Sequence, residues 1–183
     1  MDREELPKRK STRLKSFDYS SAGAYFVTIC TKDRKRILSN IIKPSVGVGA
    51  FDDPMNGAHD DPPTPQIRLT EIGKVTEKYL LSSENIPGVK IDRYVIMPDH
   101  VHMILRISAE SILDGPMWPS APAKASIDAR IRSWKTLIAK QLKQSIWQRS
   151  YFDHVIRCEQ DYLEIVKYID ENPAKWYYQR QRI

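Results

Sequence analysis

Cysteine is nearly absent: Cys30 and Cys158 are the only two, and they lie far apart in the chain. They form no Cys-x-x-Cys motif and no disulfide framework, so a reduced cytosolic setting is expected. Long apolar runs are also missing. No stretch approaches membrane-spanning length, and the segment Met1 to Lys10 has no apolar h-region of a secretory signal. A solenoid-type internal repeat is not found either. Glycine is sparse, and three of the seven (Gly47, Gly49 and Gly57) crowd into one irregular stretch. Acid is outnumbered by base, 23 Asp and Glu against 29 Lys and Arg, for a net charge of +6 and a pI near 9.3. That balance favours a polyanionic partner, nucleic acid before an acidic membrane, although a merely basic soluble protein shares it.

Hydrophobic residues make up 41% of the 183, enough for a real core, and the length suits one domain. The expected organisation is a basic arm over residues 1–19, then a single domain over 20–183 with an irregular insert at about 43–66. The arm carries Lys8, Arg9, Lys10, Arg13 and Lys15; the insert holds five prolines, from Pro44 to Pro65, and His59, which reads as a loop residue.

Ala24–Thr31 is β-branched and aromatic, a strand, and it ends in the cations Lys32, Arg34, Lys35 and Arg36. After Ile37-Leu38 the pattern dissolves. Ile67–Leu69 is short and extended; Thr70 caps a helix to about Leu81. Val89–Met97 and His100–Ile107 are two strand-like runs around Pro98-Asp99. A second irregular segment covers 108–124. Ser126 caps a helix whose apolar stripe is Ile127, Ile131, Trp134, Ile138 and Leu142, with Arg130, Arg132, Lys135, Lys140 and Lys143 on other faces. Ile146–Ile156 reads as an extended or bent strand, and a last helix spans about Gln160 to Glu171. Asn172-Pro173 is expected to end or interrupt it, because proline disfavours helix at the residue before it. The order strand, helix, strand, strand, helix, strand, helix makes the expected class α+β, a ferredoxin-like antiparallel sheet with an extra C-terminal helix.

Chemistry gathers at two places. On a strand, His100 and His102 point the same way and Val101 the other. Such a pair can hold a metal ion, or it can decorate the solvated face of an edge strand. On the last helix Tyr168 and Asn172 are four residues apart and so neighbours on one surface, at the border of the apolar stripe. His154 reads as a structural histidine or as an assistant to the site. Asp99 reads as a turn residue or as the orienting partner of a ligand histidine. Trp147, Tyr151, Trp176, Tyr177 and Tyr178 are candidates either for packing or for stacking on unpaired bases.

Four stretches taken together carry more weight than any one. They are Ala24–Cys30, Met97-Pro-Asp-His-Val-His102, Trp147–Arg157 and Tyr168-Ile-Asp-Glu-Asn-Pro-Ala-Lys-Trp176. As a set they resemble the single-tyrosine HUH transposases, most closely their REP-associated tyrosine transposase branch. The resemblance runs from about Lys10 to Trp176, broken by 43–66. It implies a ferredoxin-like nuclease domain that cuts and rejoins single-stranded DNA beside a hairpin formed by a repeated palindrome. In that family the HUH histidines bind a divalent cation, Mg²⁺ or Mn²⁺, which corresponds to His100 and His102 here. The helix tyrosine is the nucleophile, corresponding to Tyr168, and a polar residue one turn on completes the metal site, corresponding to Asn172. Some relatives carry glutamine there. The implied intermediate is a 5′-phosphotyrosine, the implied setting cytoplasmic and nucleoid-associated. Related transposases often act as dimers, so a homodimer and a monomer both stay open. The arm, Lys32–Arg36 and Lys135 are the expected DNA-binding cations.

Two other readings compete. A domesticated DNA-binding protein on the same fold would have lost a member of the set His100, His102, Tyr168 and Asn172, yet all four are present. An RRM-type RNA-binding module fits the element order but not the paired histidines, and its glycine-rich aromatic strand motif is absent.

Overall fold

A computed structural model describes residues 22–43, 65–108 and 126–180. The elements are β1 (Gly23–Cys30), β2 (Ser39–Ile42), β3 (Gln66–Leu69), α1 (Glu71–Ser82), β4 (Val89–Ile96), β5 (His100–Ile107), α2 (Ile127–Leu142), β6 (Phe152–Ile156) and α3 (Glu159–Arg180). The basic arm, nearly all of the insert and the segment 109–125 lie outside the described residues.

The main sheet has the order β4-β5-β1-β6, antiparallel throughout, which is the ferredoxin-like arrangement expected for α+β. The pleat sends alternate residues to opposite faces. Tyr25, Val27 and Ile29 of β1, with Val101, Met103 and Leu105 of β5, face α1 and α2 and make the larger core with Leu80, Ile131, Trp134 and Ile138. Phe26 and Ile104 face the other way and pack with Val95, Met97 and Ile169 of α3.

Both forward helices start where their caps predict. Thr70 Oγ1 accepts the Gly73 N–H at 3.1 Å, and Ser126 Oγ accepts that of Ala129 at 3.4 Å. Gly73 has a packing reason: a Cβ there would stand 2.0 Å from the Leu38 carbonyl oxygen. The Pro98–Asp99 turn joins β4 to β5, closed by the Met97 N–H donating to the His100 carbonyl at 2.8 Å. It is pinned from outside, because the Thr31 N–H and hydroxyl both donate to the Asp99 carbonyl, each at 2.9 Å.

Three expectations need correction. Residues 39–42 are a strand, pairing with β3 across the insert to make a separate two-stranded sheet. The run from Ile146 is not continuous strand: Trp147 makes one bridge to Thr31, and regular pairing begins only at Phe152. The last helix does not stop at Asn172 but continues through Pro173 to Arg180. Proline there forfeits one backbone hydrogen bond. Burial of Ile169 before it and partial burial of Trp176 after it, both against the α3-side core, offset that loss.

Candidate active site

The site lies where α3 crosses the sheet. The helix is held near its start by Asp161, whose carboxylate accepts from His154 Nε2 at 2.9 Å. Further along, Arg93 of β4 grips Asp170 with two bonds, Nε to Oδ1 at 2.7 Å and Nη2 to Oδ2 at 2.6 Å. From just before the second tie onward, the helix and strands border a cleft of about 500 Å³. Tyr168, Asn172, Lys175, Trp176 and Gln179 line one wall, at helical spacing along a single face. Phe26, Thr28 and Cys30 of β1 and His100 and His102 of β5 line the floor.

The histidines are not surface decoration. Their strand is internal to the sheet, and His100 and His102 are 6% and 4% exposed. Their rings stand 4.5 Å apart. Each has its Nδ1 occupied from behind: Asp99 Oδ1 lies 2.5 Å from that of His100, and Thr28 Oγ1 lies 2.8 Å from that of His102. Asp99 is thus both turn residue and orienting partner. Burial lowers the His100 pKa in spite of the Asp99 carboxylate, so the neutral ring donates a hydrogen bond to Asp99 and makes no ion pair. Burial, then the neighbouring His100, then Arg34, push His102 down to about 3. His100 donates through Nδ1 to the Asp99 carboxylate, which leaves a lone pair on its Nε2; at His102 the Thr28 hydroxyl can accept from Nδ1 or donate to it, and the accepting arrangement leaves the Nε2 lone pair free.

The Tyr168 hydroxyl lies 3.4 Å from His102 Nε2, and the ring is 42% exposed at the cleft. Lys175 Nζ sits 6.0 Å over the Tyr168 ring while bound to Glu171 at 2.9 Å. Two neutral imidazole nitrogens beside an amide side chain are a donor set that fits a divalent cation. Among the described residues no third His, Cys, Asp or Glu joins them, so Asn172 is the neutral candidate from the facing wall.

The DNA-binding candidates separate. Arg34 lines the cleft and stands 3.8 Å from Asp99. Arg36 lies 5.9 Å over Trp176, while Lys32 and Lys35 are exposed. Lys135 turns inward: its ammonium donates to the carbonyls of Gln148 at 2.9 Å and Ser150 at 3.0 Å, holding the approach to β6. Lys8, Arg9, Lys10, Arg13 and Lys15 fall outside the described residues. Of the aromatic candidates, Trp147 is core, stacked 5.2 Å from Trp134, and Tyr151 donates its hydroxyl to Asp128 at 2.8 Å. Trp176 lines the cleft, and Tyr178 is exposed.

Sequence reasoning passed over Phe26, Thr28, Phe152, Lys175 and Gln179 as cleft residues. The signal for the strand pair was there, since Phe26 and Thr28 alternate toward the face shared with His102. Lys175 and Gln179 were lost by stopping the helix at Pro173.

A family model described as transposase, IS200-like, matches residues 66–172, more than half the chain and the span holding both histidines, Tyr168 and Asn172. The chain belongs to the IS200-like transposase family. This family member is 30% identical, over 185 aligned positions, to an uncharacterised protein of Haemophilus influenzae, with 92% of this chain and 89% of that one covered. Its fold is similar to that of a REP-associated tyrosine transposase solved bound to a REP hairpin. The TM-score is 0.54 at 18% identity, over 84% of this chain and 68% of the other. No helix among the described residues of this IS200-like transposase is long and apolar enough to cross a membrane.

Proposed function

We propose that this protein cuts and rejoins single-stranded DNA beside a hairpin, with Tyr168 as nucleophile and a divalent cation held by His100, His102 and Asn172. The observation that carries the reading is the Tyr168 hydroxyl 3.4 Å from His102 Nε2, in a cleft that Arg34 and Lys175 also line. Family membership and the fold shared with a hairpin-bound transposase support the substrate class.

The chain's own residues account for most of the chemistry. A half-exposed phenol on a rigid helix meets a phosphate without rearrangement of the core. Its oxygen bonds to phosphorus as the bond from phosphorus to the 3′ oxygen breaks. The product is a 5′-phosphotyrosine and, once that oxygen takes a proton, a free 3′-hydroxyl. The phenolic proton leaves to solvent or to a base. The phosphotyrosine conserves the energy of the diester, so the reverse attack by another 3′-hydroxyl joins strands without ATP. Mg²⁺ or Mn²⁺, when bound, neutralises and polarises the scissile phosphate. Asp99 holds the His100 ring in the tautomer that offers Nε2, and Thr28 does the same for His102 when its hydroxyl accepts from Nδ1. Arg34 and Lys175 supply positive charge to flanking phosphates.

The test is incubation with a single-stranded hairpin oligonucleotide and Mg²⁺ or Mn²⁺, read on a denaturing gel. A covalent adduct that EDTA abolishes, and that His100→Ala with His102→Ala abolishes, is expected. Adduct formation undiminished by either treatment overturns the metal assignment.

A further inference from the structure

Phe152 is a large apolar side chain that the fold leaves open at this cleft. It begins β6, the edge strand next to β1, and is 49% exposed, whereas Phe26 beside it is 9% exposed. The two rings meet edge to face with centroids 6.4 Å apart, and Phe26 meets Tyr168 in the same manner at 5.9 Å. Two half-open aromatic rings therefore flank one buried ring, and one of the two is Tyr168.

The register fixes the neighbourhood. Phe152 pairs with Thr28, Thr28 pairs with His102, and all three share the face toward α3. At ~4.8 Å per strand, the Phe152 backbone stands about 10 Å from that of His102. Helix α3 does not cover this corner. It is tied to β6 at His154, beyond Phe152, and then led toward β4 by the Arg93–Asp170 pair. The cleft lining is mixed: Arg34 and Lys175 are cationic, Lys175 6.0 Å over the Tyr168 ring, and Phe152 with Phe26 is aromatic and apolar.

We propose that Phe152 is a base-stacking platform, on which an unpaired nucleobase next to the phosphate attacked by Tyr168 lays its face. The proposal rests on the strand-cutting reading above. Charge complementarity names the occupant: a strand that sets a phosphate beside Tyr168, Lys175 and Arg34 has the adjoining base within reach of Phe152 in the same cleft. Stacking tolerates any base, because each has a π-face. A duplex keeps its bases stacked on one another, so Phe152 makes the cleft selective for single strand without reading sequence.

The test uses the full chain and a pool of hairpin oligonucleotides with randomised single-stranded flanks, in Mn²⁺. Strands recovered as covalent adducts define the cut site. A single 2-aminopurine is then walked through that flank, and its fluorescence is read on binding to the Tyr168→Phe protein. Quenching at one position next to the cut is expected. It is lost in Phe152→Ala, kept in Phe152→Trp, and accompanied in Phe152→Ala by about five- to hundred-fold weaker binding. An abasic nucleotide at that position weakens wild type but costs Phe152→Ala nothing more. Quenching that persists in Phe152→Ala, or equal abasic penalties in both proteins, overturns the platform while leaving strand cutting intact. A pool that yields no adduct overturns both.

Discussion

The two faces of the sheet are built by the same strands and lined with opposite chemistry. On the face toward α1 and α2, Val101, Met103 and Leu105 meet an almost wholly apolar layer. A cavity of about 410 Å³ opens there between the helices, bordered by Leu80, Met103, Leu105 and Trp134. On the face toward α3, the intervening residues of the same strand are His100 and His102, and the cleft beside them holds a phenol, an amide and two cations. A one-residue alternation therefore separates the apolar scaffold from the proposed site along β5. The apolar cavity is the more ordinary ligand pocket by lining, yet it contains no titratable cluster. The groups proposed to react lie in the more open cleft on the other side.

Substitutions can break that division. Tyr168→Phe is expected to cost the largest factor, a loss of adduct on the order of 10⁴ or more, with melting nearly unchanged because the residue is 42% exposed and only one long hydrogen bond is lost. A gel assay beside a thermal melt checks both. Met103→Ala, one residue from His102 but facing the other layer, is expected to do the reverse. It should lower stability by about 2–5 kcal/mol in a denaturant titration and leave cutting by the folded fraction within a few-fold. A Met103 variant with intact stability and lost cutting would end the separation of faces.

The pH dependence sharpens it. His102 is held neutral at pH values where the unfolded chain binds a proton, its pKa falling from 6.5 to about 3. In EDTA, stability is full above pH 6.5 and declines as pH drops toward 3, by up to about 1.4 kcal/mol per unit from this ring. His102→Gln should flatten that decline, and identical slopes in the two proteins would contradict the buried neutral ring. The smallest effect is expected from Arg93→Ala. Its pair with Asp170 is half in solvent, so denaturant titration should register a loss of about 1 kcal/mol at most.

The sequence spoke most clearly where local and tertiary signals agree. Thr70 and Ser126 cap their helices as read, and β5 begins at His100. The four-residue β2 was missed because its partner lies beyond the insert, and neither strand is long enough to show a period alone. The helix beyond Pro173 was missed because proline is a local signal against helix, while the burial of Ile169 and Trp176 that overrides it is tertiary. Phe152 escaped for a related reason: an aromatic residue on a strand looks like core until the path of α3 is known.

The central claim is that Tyr168 takes the phosphate. Mass spectrometry of the peptide carrying the DNA adduct tests it most directly, since Tyr162, Tyr177 and Tyr178 lie on the same helix. The expected result is a nucleotide 5′-phosphate esterified to the phenolic oxygen of Tyr168 alone. A phosphate mapped to any of the other three would contradict the account.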